Sequence, residues 1–302
     1  MQTQNQRIHL PILKEKEISL YIKREDLIHP LISGNKYRKL KYNILAAKEA
    51  KQDTLITFGG AYSNHIAATA YAGRQEGIKT IGIIRGEELK DKWQNNSTLL
   101  LAKEHGMHFK FVTREAYRYK ESLEFISQLK KEFKDFYLLP EGGSNSLAIQ
   151  GCEEILTEED NDFNVITTAV GTGGTISGII NTSSKEQKVI GFPALKGNFL
   201  QEDIRKFATK INWELQKKYH FGGYGKVSPE LIQFINTFKK ETNIPLDPIY
   251  TGKMVYGLLE MIEEDCFMPG TKILAIHTGG LQGIKGMNEV LKKKKQPLVI
   301  VE

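Results

Sequence analysis

Cysteine is almost absent from this sequence: Cys152 and Cys266 are the two in 302 residues. Such a pair builds neither a disulfide framework nor the clustered spacing of a metal site, so no metal is expected. No apolar run reaches the roughly 18 residues that a membrane span requires. Residues 1–7 are polar, with no apolar segment after them of the kind a secretory leader carries. Charge of one sign is not concentrated either. Lys and Arg number 42 against 36 Asp and Glu, a formal charge of +6, and the dense cluster is Lys292-Lys293-Lys294-Lys295. A run of this kind reads as the solvated end of a helix. Basic residues are not interleaved with aromatics, which argues against a nucleic-acid partner. Repeats, low-complexity tracts and an obvious flexible linker are missing as well. The expectation is a soluble, cytoplasmic protein.

What the chain does have is alternation. Short apolar runs at Ile18–Ile22, Thr54–Phe58, Lys79–Ile84, His108–Val112, Phe136–Leu139, Val165–Val170, Lys188–Phe192 and Lys272–His277 read as strands. Helical patterns lie between them at Lys39–Ala50, Ala67–Glu76, Ser97–His105, Ser122–Phe133, Ala148–Leu156, Leu200–Tyr219, Pro229–Thr242 and Met254–Glu263. Strand–helix alternation predicts an α/β fold with mostly parallel sheets. A chain of this length is expected to split into two lobes, with a turn near Glu141-Gly142-Gly143-Ser144-Asn145.

Two distant segments carry the chemistry. Gly171-Thr172-Gly173-Gly174-Thr175 follows the apolar run Val165–Val170 and precedes a helix-like stretch. A glycine-rich turn at a helix start offers unpaired N–H groups to a phosphate. It lacks the Gly-Lys-Ser/Thr of a P-loop, and the third glycine of the dinucleotide fingerprint would fall at Ile176. A plain strand-to-helix turn is the other reading. The second segment is Ser33-Gly34-Asn35-Lys36-Tyr37-Arg38-Lys39-Leu40. Neighbouring cations lower the pKa of an amine and favour its nucleophilic form, although the same cluster also suits a basic helix face. A lysine that forms a Schiff base, together with a phosphate cradle, matches the two reactive groups of pyridoxal 5'-phosphate.

Two further strand–loop–helix junctions, Phe58–His65 and His277-Thr278-Gly279-Gly280, are expected to open onto the same crevice. In the first, Ser63 and Asn64 either cap a helix or face a ligand. Tyr224 and Tyr250, in glycine-flanked loops, are candidates to move protons.

Together these segments resemble the fold-type II pyridoxal-phosphate enzymes, and within them the 1-aminocyclopropane-1-carboxylate (ACC) deaminase/D-cysteine desulfhydrase group. The motifs that carry the resemblance are Lys23-Arg24-Glu25-Asp26, Gly34-Asn35-Lys36 with Arg38-Lys39-Leu40, and Gly59-Gly60 with Ser63-Asn64-His65. They continue with Pro140–Ser144, Gly171–Thr175, Asp247-Pro248 with Tyr250–Lys253, and His277–Gly280. The likeness implies a two-lobed, three-layer αβα architecture of the tryptophan synthase β type. Residues 1–47 and 149–302 would form a large cofactor-binding domain and residues 48–148 a small one, in a homodimer. It implies Lys36 as the Schiff-base lysine, Gly171, Thr172, Gly173, Gly174 and Thr175 as the phosphate loop, and Asn64 beside the cofactor phenol. Ser63, Asn64, His65 and Tyr224 would bind the substrate, with Ser63, Tyr224 and Tyr250 assisting catalysis beside Lys36. Thr251 and Thr278 replace the Glu and Leu of true ACC deaminases, the pattern of the desulfhydrases, and both would face the cofactor ring. A small amino acid would yield a 2-oxo acid and ammonia. With D-cysteine the products are pyruvate and sulfide; with ACC the product is 2-oxobutanoate. A non-catalytic phosphate-binding protein is the reading from another class.

Overall fold

The computed structural model describes residues 2–32 and 34–301, so Ser33 of the lysine motif lies outside the described residues. Its strands are β1 (Asn5–Arg7), β2 (Ser19–Lys23), β3 (Thr54–Gly59), β4 (Lys79–Arg85), β5 (His108–Val112), β6 (Tyr137–Leu139), β7 (Val165–Val170), β8 (Lys188–Pro193), β9 (Trp213–Leu215) and β10 (Lys272–Ile276). Its helices are α1 (Pro11–Glu15), α2 (Asn35–Glu49), α3 (Asn64–Glu76), α4 (Ser97–Glu104), α5 (Arg114–Arg118) and α6 (Leu123–Phe133) in the first half. The second half adds α7 (Ser146–Glu153), α8 (Gly174–Thr182), α9 (Phe199–Arg205), α10 (Pro229–Thr242), α11 (Thr251–Glu263) and α12 (Gly283–Lys293).

The strands form two sheets. One has the order β1-β2-β10-β7-β8-β9 and the other β5-β4-β3-β6. Every pairing is parallel except β1 with β2. In the six-stranded sheet successive side chains of β10 go to opposite faces, as the pleat requires. Ile273 and Ala275 join the apolar cluster under α10 and α11, whereas Leu274 and Ile276 join the one under α8 and α9. Both faces are therefore dry, which is why β7 and β10 read as continuous apolar runs rather than alternating ones. The smaller sheet is covered likewise, with Leu55 against α2 residues Leu40 and Ile44 on one face.

One expected element is corrected. The predicted helix Leu200–Tyr219 stops at Arg205, and β9 occupies Trp213–Leu215. Beyond Arg205 the chain is taken by tertiary partners: the Asn181 carboxamide accepts from the Thr209 N–H at 2.8 Å, and β9 pairs with the edge of β8. The Lys292–Lys295 run does sit at a helix end, since α12 stops at Lys293.

Candidate active site

The carboxyl ends of β3, β7 and β10 open onto one cavity of about 260 Å³, between the two sheets. Lys36, Ser63, Asn64, His65, Gly171, Thr172, Gly173, Thr175, Tyr224, Tyr250 and Thr278 line it. Residues more than 200 positions apart are thus brought together, as expected at the crevice of a parallel sheet.

Lys36 lies in the first turn of α2. That turn is pressed onto the loop after β10: the Asn35 N–H donates to the Thr278 carbonyl at 3.3 Å. A Cβ at Gly34, whose φ is +62°, would lie 2.0 Å from that carbonyl oxygen, so only glycine permits the approach. The Lys36 ammonium donates to its neighbour Asn35 Oδ1 at 3.0 Å, and the Asn35 amide donates to Thr175 Oγ1 at 2.7 Å. Burial, and after it the charge of Lys39, push Lys36 down to about 7. At neutral pH a large share of this amine carries a free electron pair.

The start of α8, like that of α2 with Gly34 at its cap position, has no side-chain cap. Ser63, Asn96, Thr113, Ser122, Asn145 and Ser228 each cap their helices with a side-chain oxygen. The cap position of α8 is Gly173, which has no side chain to offer. The first-turn N–H groups of α8 are left as donors for an anion. Lys39, 2% exposed, reaches the same loop and donates to the Gly142 carbonyl, Ser144 Oγ and Thr172 Oγ1 at 3.0, 3.1 and 3.4 Å. A Cβ at Gly174 would stand 2.9 Å from Ser144 Oγ and 3.1 Å from the Lys39 nitrogen, so a side chain there would displace the groups that flank the cradle. An amine near neutral pKa beside an uncapped, lysine-flanked helix start is a donor set suited to a phosphorylated aldehyde.

The comparisons with known proteins settle the family. Residues 3–279 match the model of the pyridoxal-phosphate dependent enzymes. The chain belongs to that family. It is 34% identical over 293 residues to a bifunctional D-cysteine desulfhydrase/1-aminocyclopropane-1-carboxylate deaminase, mitochondrial, of Arabidopsis thaliana, covering 88% of this chain and 73% of that one. It is 29% identical over 287 residues to a D-cysteine desulfhydrase of Yersinia pestis, covering 86% of each. The crystal structure of an ACC deaminase homologue superposes with a TM-score of 0.80 at 32% identity, covering 94% of this chain and 90% of the other. This is therefore a pyridoxal-phosphate enzyme of fold type II.

The remaining residues of this enzyme's site divide by what they touch. Ser63 caps α3, accepting from the Ile66 N–H at 3.3 Å. Its hydroxyl proton remains available to a ligand in the cavity it lines. Asn64 accepts from Gln282 at 3.1 Å. His65 is 2% exposed, and its Nε2 lies 2.8 Å from Thr57 Oγ1. The Thr57 hydroxyl already donates to the Leu139 carbonyl at 2.9 Å, so it accepts from His65, and the proton sits on Nε2. Nδ1 is then a bare, buried acceptor without a partner among the described residues. Burial and the two lysines, Lys36 and Lys39, hold the imidazole pKa well below its usual value, so the ring is neutral.

Tyr224 and Tyr250 meet edge to face, with ring centroids 6.2 Å apart. Burial, before the influence of Tyr224 and Asp247, raises Tyr250 well above 10, which keeps it a phenol. Two expected residues do not line the cavity. Gly174 stands behind it as the cradle floor. Thr251 is fully buried, and its hydroxyl donates to Asp247 Oδ2 at 2.7 Å while accepting from the Asp247 N–H at 2.9 Å. The Asp247 carboxylate also accepts from the N–H groups of Ile249, Tyr250 and Thr251, and so caps α11. Sequence reasoning passed over Lys39 as a loop contact, Thr57 and Asp247. The first lay in a motif already noticed, but its partners are more than 100 residues away.

Proposed function

We propose that the enzyme is a D-cysteine desulfhydrase, converting D-cysteine and water to pyruvate, ammonia and hydrogen sulfide. The observation that carries the reading is the amine of Lys36, near neutral pKa, in the same cavity as the uncapped start of α8. The choice of D-cysteine over ACC is supported by Thr278, which lines the cavity at the position where the family resemblance puts Leu in true ACC deaminases, while relatives bear both names, D-cysteine desulfhydrase and ACC deaminase. Bound pyridoxal phosphate supplies the electron sink for the α-carbanion.

Lys36 holds the cofactor and takes the α-proton. The α8 N–H groups and Lys39 receive the phosphate. The substrate carboxylate is assigned to the Ser63 hydroxyl and the N–H groups of Asn64 and His65 at the start of α3, where the helix dipole favours an anion. The His65 ring is not assigned to it, because a bare Nδ1 repels a carboxylate; His65 serves through its backbone and leaves the ring to a donor. Tyr224 and Tyr250, both protonated at neutral pH, would give a proton to the departing sulfur. A homodimer working in the cytoplasm completes the proposal.

The deciding experiment is product analysis on the enzyme loaded with pyridoxal phosphate. Sulfide and pyruvate from D-cysteine support the proposal, and 2-oxobutanoate from ACC without sulfide from D-cysteine overturns it. Lys36→Ala is expected to lose turnover and to lose the cofactor–lysine mass adduct that borohydride traps. Retention of either would remove Lys36 from the reaction.

A further inference from the structure

Lys253 belongs to a motif that the site has not used. It lies on α11, three residues after Tyr250, is 1% exposed, and has no ion-pair partner among the described residues. A buried ammonium without a carboxylate is costly unless hydrogen bonds replace its water. Burial, only partly offset by Asp247, pushes it down to about 8.

Its two bonds both go to one loop. Lys253 Nζ donates to the carbonyls of His220 and Gly223, at 2.9 Å each. On these carbonyls the loop also closes its own turns: Gly223 N–H donates to His220 O at 3.0 Å and Lys226 N–H to Gly223 O at 3.2 Å. Tyr224 is the second residue of the second of these turns. Phe221, Gly222, Gly223 and Gly225 all have positive φ, so no helix or strand supports the segment. Apolar contacts from the same helix finish the attachment. Tyr256 meets Phe221 edge to face at 5.1 Å, and the absent side chain of Gly257 leaves room for the Tyr219 ring. The helix that begins at Tyr250 thus grips the loop that carries Tyr224, and Lys253 is the polar part of the grip.

We propose that Lys253 is a positioning residue that latches the 220–226 loop to α11 and so fixes Tyr224 against Tyr250. The proposal rests on the assignment of Tyr224 to the reaction. Its structural half, the latch, can be read without any substrate.

Four variants of the cofactor-loaded enzyme test it: Lys253→Met, Lys253→Gln, Tyr224→Phe and the double variant Lys253→Met/Tyr224→Phe. In Lys253→Met, hydrogen exchange at the Gly223 and Lys226 amides is expected to rise roughly tenfold or more, while exchange in β7 and α8 stays as in the parent. Its kcat on D-cysteine should fall roughly 10–100-fold, the scale of a misplaced reacting group. The double variant should fall no further than the lower single variant, because the two residues act as one unit. Lys253→Gln, able to make one of the two bonds, should lie between parent and Lys253→Met in both readouts, and it takes the place of Lys253→Met if that variant does not fold. Unchanged exchange in the loop, or losses that multiply in the double variant, would overturn the proposal. If the parent turns over neither D-cysteine nor ACC, the substrate reading has failed, and loop exchange still decides the latch.

Discussion

The behaviour of single groups at this site follows from where their protons are held. Lys36 is pushed down to about 7 by burial and Lys39. Below that pH the amine is protonated and inert, so covalent capture of pyridoxal phosphate by the cofactor-free protein should rise with pH through about 7. A surface lysine would give a midpoint above 10. Stopped-flow absorbance across pH 5.5–9 reads the difference. For His65 the folded pKa lies well below 6.5, so the unfolded chain binds the proton more readily. Stability is present above pH 6.5 and falls as pH drops below it. Nitrogen-15 shifts should show a neutral ring, protonated at Nε2, throughout pH 6–8. Thr57→Val strands that N–H and is expected to cost about 1–3 kcal/mol in urea denaturation. Lys36 and the Gly171–Thr175 turn were legible as residue types in a pattern. The tautomer of His65 was not, because it is set by the carbonyl of Leu139, on a strand 74 residues further on.

Among the elements, α2 shows how a structural motif serves the lysine proposed to hold the cofactor. None of Lys23, Arg24, Glu25 and Asp26 lines the cavity. Lys23 pairs with Asp160 at 2.7 Å, Arg24 with Asp26 at 2.7 Å, and Glu25 takes both Nε and Nη2 of Arg38 at 2.9 and 2.8 Å. Arg38 follows Lys36 by two residues, so this buried bidentate pair locks the helix that presents the amine. Removing one member of such a pair costs about 3–5 kcal/mol. Glu25→Ala is expected to lose stability of that order in chemical denaturation and to weaken cofactor retention with it. Elements whose identity is local were readable: Pro229–Thr242 carries a serine cap, a proline at the start and apolar residues at helical spacing, and its bounds agree with the sequence reading. The 200–219 stretch was not, because Asn181 and the edge of β8 override its helical pattern. β1 and β9, three residues each, are too short for a period to show.

At the scale of the molecule, the four-stranded sheet is made wholly by residues 54–139, and the six-stranded one by segments on either side of it. We propose 48–148 as the small domain and 1–47 with 149–302 as the large one. α2 and α7 carry the chain between them and pack on each other. If the small domain moves as a unit when substrate binds, scattering in solution should report a smaller radius of gyration with D-cysteine present. An unchanged radius would mean that the cavity is rigid.

The contact between Gly34 and Thr278 also sets a schedule. Lys36 leaves the ribosome some 240 residues ahead of the Thr278 carbonyl against which its helix is seated. β10, which separates β2 from β7, is the last of the sheet's described strands to be made. The half-finished chain can close its four-stranded sheet while the other waits with β2 and β7 unjoined. Those unpaired edges are exposed to neighbours on a polysome for the whole interval. Synthesis of this enzyme therefore has a vulnerable period that ends only when residues 272–276 arrive, and that makes the protein's yield in a cell a matter of translation speed as well as of stability.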